Sequence, residues 1–225
     1  MQYLIEYLKN LGNAMKFLST LIVLTTLSFA NFKASISPIT PDIKKQMING
    51  NSYRAGCPVP LSSLRYLRLT YIGFDNKEHI GELIVHKSVA KDVVQIFNAL
   101  YNAKYPIRKM QLVSKYNGSD FASIEADNTS AFNCRPVDGT NRWSKHSFGK
   151  AIDINPLENP YVSKSGYTSH KGSYRYLKRV RLNNSPQYRA LILPNDYIVR
   201  LFKSKKWRWG GDFRCCKDYQ HFDKK

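Results

Sequence analysis

The stretch that decides the fold reads Ser144-Lys145-His146-Ser147-Phe148-Gly149-Lys150-Ala151-Ile152-Asp153. Lys150 to Ile154 has the pattern of a short strand, with Ile152 and Ile154 turned to the core and Ala151 and Asp153 to the other face. Asp153 then presents a carboxylate, and Ala151 leaves room beside it. His146 lies seven residues before Asp153, an odd number, so one uninterrupted strand would put it on the wrong face. Gly149 permits the bend that brings it round. A second stretch answers near the C-terminus: Trp209-Gly210-Gly211-Asp212-Phe213, then Asp218-Tyr219-Gln220-His221-Phe222. Neutral imidazoles and one carboxylate are what a catalytic zinc needs, with a fourth position left open. His221 is the best candidate for the third ligand. Asp218, three residues earlier, is placed to serve a water without being a ligand.

The pair of motifs, Ser-x-His-x-x-Gly-x-Ala-x-Asp and Gly-Gly-Asp-Phe followed by Asp-x-x-His-Phe, resembles the D-Ala-D-Ala carboxypeptidase/VanY-like zinc peptidases. That family includes L-alanyl-D-glutamate endopeptidases and shares the Hedgehog/DD-peptidase fold. Looser similarity runs from about Gly56 to Phe222 and takes in Asn133-Cys134-Arg135 and Asn155-Pro156. The resemblance implies an α+β domain, a small antiparallel sheet flanked by helices, over residues 56–225. It implies one zinc ion held by His146, Asp153 and His221, Asp218 as the catalytic carboxylate, and Ser144 among the substrate-binding residues. Many relatives have Glu where Asp218 stands, whereas the endopeptidase branch commonly uses Asp. The family's oxyanion-binding arginine often sits in Ser-Gly-Tyr-Arg. Here the text is Ser114-Lys115-Tyr116-Asn117, so Arg135 is the substitute candidate for oxyanion and substrate binding. The competing reading is a surface arginine near a disulfide. Cys57 and Cys134 lie in family-like segments, Gly-Cys-Pro-Val and Phe-Asn-Cys-Arg, and their pairing is the disulfide the resemblance implies.

The chain has 225 residues, a formal net charge of +19 and a pI near 9.8. So basic a chain expects a polyanion. Residues 1–30 read as a signal peptide, with Met15 as an alternative start. Lys16 is the positive region, Phe17 to Leu27 the apolar one, and Ser28-Phe29-Ala30 the cleavage site. The apolar run is short for a membrane span, which needs roughly 20 residues. No stable span is expected after cleavage, and an uncleaved anchor is the competing reading. Four cysteines suit an exported, oxidising setting. Cys215 and Cys216 are adjacent and would make a strained ring if joined; zinc ligation by one of them is the alternative.

Residues 31–55 read as an arm or linker. Leu67, Leu69 and Tyr71 alternate, as do Ile80, Glu82 and Ile84, with turn residues from Gly73 to Lys77, which predicts an antiparallel hairpin. Ser88 is the candidate cap of a helix bearing Val89, Val93, Phe97 and Leu100. Met110 to Tyr116 reads as a strand, and Asn117 to Thr129 as a polar loop or short helix. His79, His86 and His170 read as structural or surface residues. Asn195 or Asp196 would cap a last helix, Trp207 and Trp209 would be buried, and Asp212 would orient a metal-binding histidine.

These features predict an exported zinc metallopeptidase, periplasmic or secreted and monomeric, acting on peptidoglycan stem peptides. An anionic wall polymer is a further partner the charge allows. Two other classes compete. One is a wall-binding protein that keeps zinc for structure, against which the retained Asp218 argues. The other is a nucleic-acid binder, against which the export signal and the lack of a nucleic-acid motif argue.

Overall fold

The computed structural model describes residues 31–225, so the expected export signal lies outside the described residues. The chain is mixed α+β with small, mostly antiparallel sheets. Its first sheet grows from a long hairpin, β2 (Leu64–Gly73) and β3 (Glu78–His86), with Leu67 opposite Leu83. Asp75 and Asn76 make the turn. The Asp75 side chain accepts the Lys77 amide at 3.1 Å, and Asn76 takes the left-handed conformation that asparagine tolerates. β1 (Ala34–Ser37) adds antiparallel to the outer edge of β2, and β4 (Pro106–Ile107) adds parallel at its end. Helix α1 (Pro41–Asn49), capped by Thr40 and opened by Pro41, follows β1 and buries Met47.

The hairpin is present as the alternation predicts, but its core face differs. Leu67, Leu69 and Tyr71 on β2 and Leu83 and Val85 on β3 line the main core, while Ile80 is 58% exposed. Ile84 packs instead in a second cluster with Met47, Leu64, Leu112, Phe132 and Cys134. Both faces of this end of the sheet are therefore covered. Helix α2 (Ala90–Asn102) lays Val93, Ile96, Phe97 and Leu100 on the sheet, as the 3.6-residue spacing predicts. Ser88 is not its cap. Val89 holds that position, and the Ser88 hydroxyl pairs with His86 Nδ1 at 2.7 Å.

After β5 (Lys109–Met110) the expected strand to Tyr116 does not continue. Val113–Tyr116 is a 3₁₀ turn, ended by Asn117 and Gly118 at positive φ. The polar segment beyond it contains the short helix α3 (Asp120–Glu125), capped by Ser119, before β6 (Asn128–Thr129) pairs with β5. A disulfide joins Cys57 to Cys134, with Cα atoms 5.9 Å apart, and so ties the segment before the hairpin to the chain leading into the motif.

The second sheet has the order β7 (Ala151–Asp153), β11 (His221–Asp223), β9 (Arg208–Trp209), all antiparallel. β8 (Tyr161–Val162) pairs with β10 (Lys217–Asp218) beside it. A short helix α4 (Pro186–Arg189) precedes α5 (Tyr197–Ser204), whose Phe202 stacks on Phe222 at 3.9 Å and meets Trp207 edge-on. Trp207 and Trp209 are buried as expected. Asp196 stands at the N-cap of α5, but its carboxylate accepts the Leu193 amide and pairs with Arg181 instead of capping the helix. No described helix is long and apolar enough to cross a membrane.

Candidate metal centre

The motif folds as a 3₁₀ turn, Lys145–Phe148, followed by β7. Ser144 opens the turn, its hydroxyl accepting the His146 amide at 3.3 Å. Gly149 closes it at φ +65°, and a Cβ there would meet the His86 amide nitrogen at 2.6 Å. A side chain is therefore excluded twice, by conformation and by space. The bend predicted at Gly149 is what carries His146 to the same side as Asp153.

Pairing sets the rest. Asp153 lies opposite His221 and Ile152 opposite Phe222 across β7 and β11. The apolar pair enters the core, and the polar pair faces the other way. His221 Nδ1 stands 2.9 Å from Asp153 Oδ1, His146 Nε2 3.2 Å from Asp153 Oδ2, and the two ring nitrogens are 3.3 Å apart. A tetrahedral zinc with bonds of about 2.0 Å requires donors about 3.3 Å apart, so this set fits such an ion. His146 Nδ1 donates to the Ala131 carbonyl at 2.5 Å, which fixes the ring and leaves Nε2 free for a metal. Among the described residues, these three form the group of side chains that could hold a metal ion, all buried.

Burial opposes ionisation of Asp153, but the adjacent His146 and His221 outweigh it and hold the carboxylate well below its usual range. Burial likewise disfavours the charged form of His221, yet Asp153 pushes that imidazole up to about 9.

The trio lies in a cleft of about 480 Å³, the size of a small-ligand pocket. Asp218, on β10, lines the same cleft with its Oδ1 buried and unpartnered. Burial raises its carboxyl to about 6. Its place depends on Gly210, since a Cβ there would fall 2.3 Å from the Asp218 carbonyl oxygen. Arg135 reaches the cleft wall as well, half-buried, its guanidinium 2.6 Å from Asp120 on α3. Ser144 and Lys145 complete that side.

Two expectations change. Asp212 turns away from the histidines and pairs with Lys203 at 2.7 Å, both side chains about half exposed. The carbonyl of Ala131 orients His146 instead. His170 is not loop surface. It is buried, 2.6 Å from Glu125 and tilted against the Phe121 ring with centroids 4.6 Å apart, and it lines the cleft. The sequence carried no signal for it, because Phe121 and Glu125 come from α3, far earlier in the chain. Gln220 was also missed. It is buried on the cleft wall, between Tyr219 and His221.

Three protein donors with a carboxylate nearby could hold a metal ion and leave a position open beside it. Residues 138–224 match the family model described as D-alanyl-D-alanine carboxypeptidase, a peptidase family. The matched segment contains His146, Asp153, Asp218 and His221 and supports the family resemblance carried by the two motifs. No curated protein and no solved structure matches the chain.

Proposed function

We propose that the protein is an exported zinc-dependent peptidase that hydrolyses peptidoglycan stem peptides, as a D,D-carboxypeptidase or an L-Ala-D-Glu-type endopeptidase. One observation carries this reading. His146, Asp153 and His221 converge within 4.8 Å in a cleft that also holds the unpartnered Asp218 oxygen, inside the segment that matches the peptidase family.

His146 Nε2, His221 Nδ1 and an Asp153 oxygen would hold the ion. Bound there, zinc would supply Lewis acidity, which makes water a nucleophile near neutral pH and polarises a peptide carbonyl. The chain supplies the rest. Asp218 Oδ1 takes the proton of the attacking water and returns it to the departing amine. Arg135, steadied by Asp120, binds the substrate and the developing oxyanion from the cleft wall. Ser144 serves twice, holding the His146 turn and lining the substrate cleft. The Cys57–Cys134 disulfide suits an exported protein, and the +19 charge favours an anionic wall. Zinc analysis of the purified protein, with mass spectrometry of products from defined muropeptides, tests the reading. Stoichiometric zinc with release of D-alanine or of an L-alanyl product supports it. Muropeptides left intact by zinc-loaded protein would contradict it.

A further inference from the structure

Cys215 and Cys216 lie outside the disulfide and outside the metal centre. Both are free thiols, Cys215 exposed and Cys216 half-buried, with sulfur atoms 3.1 Å apart. They occupy the joint between the Gly210–Asp212 turn and β10, the strand of Asp218. Both ends of this joint reach the cleft: Phe213 lines it directly, and β10 pairs Asp218 with Tyr161, which lines it too. The joint has little slack. Lys217 Nζ donates back to the Gly211 and Phe213 carbonyls at 3.1 and 2.8 Å, and Gly210 touches Asp218 too closely to admit a Cβ.

We propose that Cys215 and Cys216 form a reversible redox site, a vicinal dithiol that closes to an eight-membered disulfide ring and, on closing, shifts β10. A disulfide bond needs the sulfurs at about 2.05 Å, an approach of about 1 Å from their present separation. Adjacent Cα atoms are closer than an unstrained disulfide allows, so part of that contraction falls on the backbone that runs into Asp218.

The oxidant is a small-molecule disulfide. One cysteine thiolate attacks it, forming a mixed disulfide and releasing the first small thiol. The neighbouring thiolate then attacks the protein sulfur of that mixed disulfide, forming the ring and releasing the second. Two protein thiols are oxidised by two electrons, the small disulfide is reduced to two thiols, and the two protons pass to those thiols. Adjacent Cα atoms across a trans peptide are about 3.8 Å apart, below the usual disulfide minimum of about 4.4 Å. The ring is therefore strained and readily reduced. The Cys57–Cys134 bridge has Cα atoms 5.9 Å apart, within the usual range, and Cys134 is fully buried, which shields it from reductant.

The test uses the full mature chain treated with oxidised glutathione, then iodoacetamide, then peptide mapping. The expected product carries no alkyl group or glutathione on Cys215 or Cys216 and is two mass units lighter than the dithiol peptide. A low dose of reductant should restore two alkylation sites there while Cys57–Cys134 stays joined. Alkylation at both positions after oxidation, a persistent glutathione adduct, or a Cys215-linked dimer would overturn the site. Hydrogen exchange reads the movement without any need for activity, and Lys217–Tyr219 should exchange differently in the closed ring. Unchanged exchange there would overturn the link to β10. The effect on turnover rests on the proposed role of Asp218. The closed ring should hydrolyse muropeptide at least about tenfold more slowly, and Cys215→Ser/Cys216→Ser should not respond to oxidant. Equal turnover of open and closed forms of an active enzyme would overturn the switch. Total inactivity of the open form would instead count against the peptidase reading, with mapping and exchange still deciding the redox site.

Discussion

Asp153 and His221 face each other in register across β7 and β11, with Asp153 Oδ1 2.9 Å from His221 Nδ1. One strand pair thus fixes two of the three proposed zinc ligands, and the turn closed by Gly149 brings the third. His146→Ala and His221→Ala should each lower bound zinc from about one equivalent toward none and abolish hydrolysis, because two remaining ligands fall short of the three a catalytic zinc uses. Metal analysis of dialysed variants checks this. Unchanged zinc in both would show the ligand assignment to be wrong.

Gly210 controls the position of Asp218. A Cβ at Gly210 would meet the Asp218 carbonyl oxygen at 2.3 Å and its Cβ at 2.8 Å, so Gly210→Ala must displace β10. A shift of about 1 Å at a reacting group costs up to about 10²-fold. Turnover should fall by about 10–10²-fold with zinc retained. Gly166→Ala is the control: nothing lies within 4 Å of its Cβ position, and only its φ of +82° is strained. It should cost about 1–3 kcal/mol of stability and leave turnover unchanged. Equal kinetics for the two variants would remove the positional role of Gly210.

Much of this centre is legible in the sequence because the information is local. Two short motifs encode a strand face, a glycine bend and a tight turn, and each depends on residues within a few positions. The β2–β3 hairpin and the α2 face are legible for the same reason: alternation and 3.6-residue spacing survive without tertiary context. What is not legible depends on partners distant in the chain. His170 is buried through Glu125 and Phe121. Ile84 is buried by Met47 and Phe132, and the segment after Met110 turns where Gly118 packs against Asn51. Asp212 sits in a motif but points at Lys203, which α5 supplies.

Arg135 is expected to act on substrate, since it lines the cleft and Asp120 holds its guanidinium in place. Arg135→Ala should lower kcat/KM by about 10²-fold, the usual loss for one oxyanion donor, with zinc unaffected. Steady-state kinetics on a defined muropeptide check this. Values within about twofold of the wild type, well short of that loss, would reduce Arg135 to a partner of Asp120.

Glu158 and Asp127 set a pH dependence of stability. Both are buried; Tyr176 donates to Glu158 Oε1 at 3.2 Å, while Glu158 Oε2 has no partner. Burial first, and then the charge of Asp127, push the Glu158 carboxyl up to about 9. The folded chain thus keeps a proton that the unfolded chain loses above the ordinary carboxylate range. The contribution is complete at acidic pH and declines as pH rises toward 9. Glu158→Gln removes that slope, so the variant should gain stability relative to wild type between pH 5 and pH 8. Denaturant titrations at both pH values check it, and a constant difference would contradict the raised Glu158 carboxyl.

The proposed mechanism stands most directly on Asp218. Zinc is assigned three other protein ligands, so Asp218→Asn should leave the metal bound, while loss of the proton-accepting charge removes the base. Asparagine is also a good turn residue, so a merely structural role would be almost silent to this change. Zinc content and muropeptide hydrolysis measured on one Asp218→Asn sample decide between the two. Full zinc with turnover lowered by about 10²–10⁴-fold is expected; full zinc with near-normal turnover would contradict the catalytic role of Asp218 and the mechanism built on it.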